Sequence, residues 1–244
     1  MNYEQDVQQE SVPGVPVQKE PGGKKRRVTI TQEMKLNEYR VVLENTFADP
    51  YIQEMAAKYG YDEQRLQEGK SLMESTVNLY EEFKNKQADQ ILKRKEFTVI
   101  WHQARKTYHR FIKSAQLAYA ENLELLDSIG AKFIRSAPFG VGVAQSRLFY
   151  NNLEQMPDVL SELGKYNVSP QEIQEGKKLV LDAEVADSRH RNAVADTQQA
   201  SALKSLEFKK LKTWIADYRK VMRVALKSSG QLLEKLGIWV PSPK

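Results

Sequence analysis

One five-residue word occurs twice in this chain: Leu66-Gln67-Glu68-Gly69-Lys70 returns as Ile173-Gln174-Glu175-Gly176-Lys177. The same spacing carries Lys58-Tyr59 onto Lys165-Tyr166 and Ala88-Asp89 onto Ala195-Asp196. A register held over so long a stretch reads as one supersecondary unit used twice, and the fold must then let both copies bury their apolar faces. The copies are read as running over roughly 37–130 and 144–237.

Farther along, the pairing resumes with the frame moved by three. Tyr108 meets Tyr218, Arg110 meets Lys220, Lys113 meets Arg223, and Leu123-Glu124 meets Leu233-Glu234. Three residues inserted in a packed helix would rotate everything beyond them by about 60°, whereas a turn absorbs them. The shift therefore predicts a turn near residues 90–96 and another near 197–206. Nothing else marks one, because neither glycine nor proline occurs between Lys70 and Ile129 or between Lys177 and Ser229.

Helix signals surround these stretches. Ser169-Pro170-Gln171-Glu172 is a complete start signature: the serine can accept from a free backbone N–H, the proline has the φ of a first turn, and the glutamate can reach back. Asp62 opens the matching helix of the first copy. Ile100, Ala104, Tyr108, Phe111 and Ala115 follow at steps of four and three, as an apolar stripe facing other helices requires. Leu211, Ile215, Tyr218, Met222 and Ala225 belong to the stripe of the second copy. Shorter helical stretches, near residues 36–46 with 51–58 and near 145–164, are interrupted at Asp49-Pro50 and Met156-Pro157, where a break or kink is expected.

The fold class expected is all-α, with internally duplicated long helical hairpins forming an antiparallel four-helix-type bundle and shorter accessory helices alongside. Residues 1–30 read as a disordered tail rich in Gln, Glu, Pro, Gly and Lys. Residues 31–130 form the first repeat and 144–244 the second, the two sharing one core. Residues 131–143 join them, and Phe133, Ile134, Phe139, Val141 and Val143 make this segment too apolar for a free linker, so a strap packed on the bundle is expected.

Composition removes whole classes of chemistry. The 244 residues include no cysteine, which excludes disulfides, thiolate metal sites and a cysteine nucleophile. Only His102, His109 and His190 are present, with no Glu-x-x-His pair of the kind used by metal-binding bundles. No glycine-rich phosphate loop and no Gly-x-Ser-x-Gly elbow occurs. No cofactor is expected, and no catalytic motif is found. The opening residues lack the apolar core of a signal peptide, and no apolar run approaches the roughly 20 residues of a membrane span, so a cytoplasmic chain is expected.

The net charge of +5 is modest, but the charges are segregated. Of the two long helices expected in each copy, the earlier leans acidic and the later leans basic. Arg105, His109, Arg110 and Lys113 fall on the face opposite the apolar stripe, and Arg219, Lys220 and Arg223 repeat it. These seven are the candidate polyanion-binding face; the plainer account makes them solvated backs of core helices, complementing acidic neighbours. Gly69 and Gly176, each inside a helix where glycine costs about 1 kcal/mol relative to alanine, point to a close approach by another element. The function these features suggest is a scaffold or protein-interaction module whose partner is another protein or a second copy of itself. Nucleic-acid binding through the basic face, and a ligand or catalytic pocket between the repeats, are the alternatives.

Overall fold

The computed structural model describes residues 31–131 and 137–241. Among them are eight helices and no strand: α1 (Gln32–Ala48), α2 (Pro50–Lys58), α3 (Glu63–Ala118), α4 (Leu123–Ser128), α5 (Phe139–Glu154), α6 (Pro157–Gly164), α7 (Pro170–Ala225) and α8 (Gly230–Lys235). Each of the last four begins 107 residues after its counterpart, Gln32 with Phe139, Pro50 with Pro157, Glu63 with Pro170 and Leu123 with Gly230. The left-handed backbone positions keep the same spacing: Gly60 (φ 85°) with Asn167 (φ 59°), and Gly130 (φ 69°) with Gly237 (φ 64°).

The expected turns near 90–96 and 197–206 do not form. α3 and α7 are unbroken helices of 56 residues each, so the four long helices of the anticipated hairpins are two. The frame shift of three misled for a physical reason. Residues three apart share a helix face, so an amphipathic sequence resembles itself at a shift of three as well as at none. At the constant spacing the counterpart of Tyr108 is Ile215 and that of Phe111 is Tyr218, and all four are buried. The strap is also shorter than expected: Phe139 begins α5, and its ring meets those of Phe97 and Trp101 edge-on at 5.0 and 4.9 Å. Residues 132–136 and the anticipated tail, 1–30, lie outside the described residues.

Local chemistry explains where the helices start. Ser169 accepts from the Glu172 backbone N–H while Glu172 accepts from that of Ser169, a reciprocal capping box opening α7. Asp62 caps α3 by accepting from Arg65. Pro50 and Pro157 occupy the first turns of α2 and α6, where a missing N–H costs nothing. Acidic residues early and basic residues late in each long helix also suit the helix dipole.

α3 and α7 run antiparallel, as three ion pairs along their length require: Arg110–Glu172 at 2.8 Å, Arg189–Glu96 at 3.6 Å and Lys86–Asp196 at 2.9 Å. The acidic start of one helix therefore lies beside the basic end of the other. Apolar residues gather at the two ends. One core joins α1, α2 and the beginning of α3 to the end of α7 and α8, around Ile52, Tyr61, Leu66, Leu211, Ile215 and Tyr218. The other joins the end of α3 to α5, α6 and the beginning of α7, around Phe111, Ile112, Phe149, Leu153, Leu163 and Ile173. Between these heads, the α7 face toward α3 is thin: Ala183, Ala186, Ala193 and Ala200 are buried there, at steps drawn from the 3-4 pattern that includes His190, Thr197 and Lys204. Lys204 is buried as well, its ammonium 3.9 Å from the centre of the Phe83 ring.

Candidate interaction surfaces

The seven basic residues are divided between the two heads. Arg105, His109, Arg110 and Lys113 lie near the end of α3, and Arg219, Lys220 and Arg223 near the end of α7. Arg110 touches Glu172, which precedes Arg219 by 47 positions on α7. At 1.5 Å per residue the two groups are about 70 Å apart. Several are engaged already. The Arg110 guanidinium donates to Glu172, whose carboxyl is held below its ordinary value first by the Ser169 N–H and then by Arg110. Arg219 donates to the Leu236 carbonyl at 3.1 Å and to Glu38 at 2.7 Å. Lys220 pairs with Asp217 at 2.9 Å, Arg105 lies over Trp101, and His109 is half-buried. Lys113 and Arg223 are exposed. The structure thus gathers these side chains into two separated groups and places most of them against neighbours of the same chain.

The paired glycines meet the close approach expected of them, through different rings. A Cβ at Gly69 would overlap the Trp214 indole, and one at Gly176 would lie 2.6 Å from the Tyr150 hydroxyl oxygen. The Tyr150 hydroxyl has no hydrogen-bond partner among the described residues, while that of Tyr218 shares a 2.8 Å bond with Thr46. Burial pushes the Tyr108 and Tyr218 phenols up to about 12, and that of Tyr150 upward as well.

The heads differ in one groove. Where α1 runs antiparallel along the first turns of α3, a groove of about 810 Å³ opens over Leu43, Phe47, Met73 and Val77, rimmed by Arg40, Glu44, Lys70 and Glu74. It continues past Arg40 and Val77 into a second stretch of about 600 Å³ beside Leu36 and Tyr80. At the corresponding place on the other head, between α5 and α7, two ion pairs cross the groove. Arg147 pairs with Glu184, and Lys177 pairs with Glu154 at 2.6 Å. The Lys177 ammonium, followed by the Gln174 amide, keeps the Glu154 carboxyl below its ordinary value. Arg40 and Lys70 are the counterparts of Arg147 and Lys177, but Val77 and Phe47 stand where the two glutamates would be. Neither Arg40 nor Lys70, nor Glu44 or Glu74 beside them, forms an ion pair among the described residues.

None of these groove residues stands out in the sequence, where each is an ordinary helix-surface or core type. The comparison of positions 47 and 77 with 154 and 184 at a fixed spacing is the signal that would have found them. Among the described residues, no cluster of three or more His, Asp or Glu side chains is placed to hold a metal ion, and no helix is long and apolar enough to cross a membrane. The sequence matches no family model, no curated protein and no solved structure.

Proposed function

We propose that this chain is a non-enzymatic protein-interaction module: a duplicated helical unit whose two copies pair through an antiparallel coiled-coil stalk and present a helical head at each end. The constant spacing of 107 residues between corresponding helices supports the duplication. The steps of three and four along Ala183, Ala186, His190, Ala193, Thr197, Ala200 and Lys204 support the coiled-coil reading. The open α1/α3 groove carries the interaction reading, because it combines an apolar floor with four charges that form no ion pair among the described residues, the combination by which an amphipathic helix is gripped.

Cross-linking of the full chain in its native cell, with the linked lysines mapped by mass spectrometry, tests this. Intermolecular links should concentrate on Lys70 and Lys84, which border the groove, and should fall when Phe47→Glu and Val77→Glu give it the carboxylates present in the other head. Intermolecular links absent from both heads, or unchanged in the double variant, would remove the reading.

A further inference from the structure

We propose that the α1/α3 groove is the seat of symmetric self-association, with α1 of a second copy lying antiparallel in it. The inference rests on the interaction reading above and names the partner.

Charge order on the groove rim points to a second copy. Arg40 precedes Glu44 by one turn on α1, and Lys70 precedes Glu74 by one turn on α3. A twofold axis across α1 reverses this order in the partner, so Arg40 of each molecule faces Glu44 of the other. A helix carrying plus then minus is complementary to its own reverse, and a twofold interface brings each residue against the same surface patch.

The apolar content agrees with that axis. Placed midway between Arg40 and Glu44, it carries Phe47 of each copy toward the stretch of the other that is lined by Leu36 and Tyr80. This is where the groove continues beyond Val77, so one antiparallel α1 accounts for both stretches. Phe47 is half-buried in the isolated chain and Arg40 and Glu44 are exposed, which leaves all three accessible to a partner.

The other head explains why association would stop at two. Its equivalent groove is crossed by Arg147–Glu184 and Lys177–Glu154, which leaves only a shorter stretch of about 430 Å³ beside Phe139 and Val143. With α1 of each copy seated in the longer groove of the other, a twofold contact closes on itself.

Light scattering coupled to size exclusion, run on the full chain over a range of concentrations, tests the proposal. The expected mass is twice the 28.1 kDa of one chain. Glu44→Arg should weaken the dimer at least about tenfold, since like charges would meet on both sides of the axis. Adding Arg40→Glu to it restores opposite signs and should recover most of that loss, an outcome that damage to the fold would not produce. Val77→Glu should close the groove on Arg40 and give a monomer with unchanged helix content. A wild-type chain that stays monomeric throughout, or a dimer indifferent to Glu44→Arg and Val77→Glu, would overturn the proposal. So would a monomer whose Lys24 or Lys25 cross-links to Lys70 of the same chain, which would assign the groove to the N-terminal residues. A monomer cross-linked to a different protein at Lys70 would overturn self-association while leaving the interaction module standing.

Discussion

Gly69 and Gly176 occupy corresponding places in two helices, yet the indole that fills the space above the first comes from α7 and the phenol above the second from α5. The sequence disclosed the need for a close approach, because a costly residue was retained at both positions. It could not disclose the ring, since Trp214 and Tyr150 sit on different elements and neither is the other's counterpart. The buried phenols have a measurable consequence. Tyr108 and Tyr218 are held neutral, with folded values of about 12 against an ordinary 10.0. A raised folded value means that their stabilisation is complete below pH 10 and is lost as pH rises through 12. Stability should therefore fall between about pH 10 and 12, and Tyr108→Phe combined with Tyr218→Phe should move the midpoint of alkaline unfolding upward. Circular dichroism during alkaline titration would show it; a midpoint unmoved by the two substitutions would contradict the assignment.

At the scale of single helices, the starts were legible and the continuity was not. Ser169-Pro170 and Asp62 announce α7 and α3 because capping is local chemistry, written within four residues. Ser169→Ala should cost about 1 kcal/mol and Ser169→Gly only a few tenths, measured by urea denaturation. Equal losses would mean that Ser169 acts through packing and not as a cap. Continuity through residues 90–96 depends instead on a neighbour. α3 carries Lys86, Gln90 and Lys93 on its half-buried side there, and these would make a poor helix interface by pattern alone. What accommodates them is the thin alanine face of α7, together with Asp196 on Lys86 and the Thr197 hydroxyl, which is shared between the Ala193 carbonyl at 2.8 Å and the Lys86 carbonyl at 3.1 Å. The stretch where the frame shift predicted a turn is a stretch with a partner made to fit it.

The same dependence on topology governs the basic residues. Their common helix face is an expectation from spacing alone. Their division between two heads followed only from α3 and α7 being unbroken and antiparallel, which separates Lys113 from Arg223 by the length of the stalk. The chain's lack of cysteine makes this directly measurable. With Lys113→Cys and Arg223→Cys labelled, and labelled chain diluted into unlabelled, distance measurement should give about 70–80 Å. Folded-back hairpins, each half as long, would hold the two sites within about 40 Å, and such a value would refute the stalk.

Two unbroken helices of 56 residues, laid head to tail, also bind the history of one half of the gene to that of the other. A deletion within α3 alone would draw one head inward on that strand while α7 still spanned the full distance, and the seam beyond the lesion would lose its match. Only paired changes of equal size, in multiples that return each alanine to its place, keep both heads seated. Length variants of this protein should therefore come as matched insertions or deletions in both long helices, and the stalk behaves as a ruler that evolution can recut only on both edges at once.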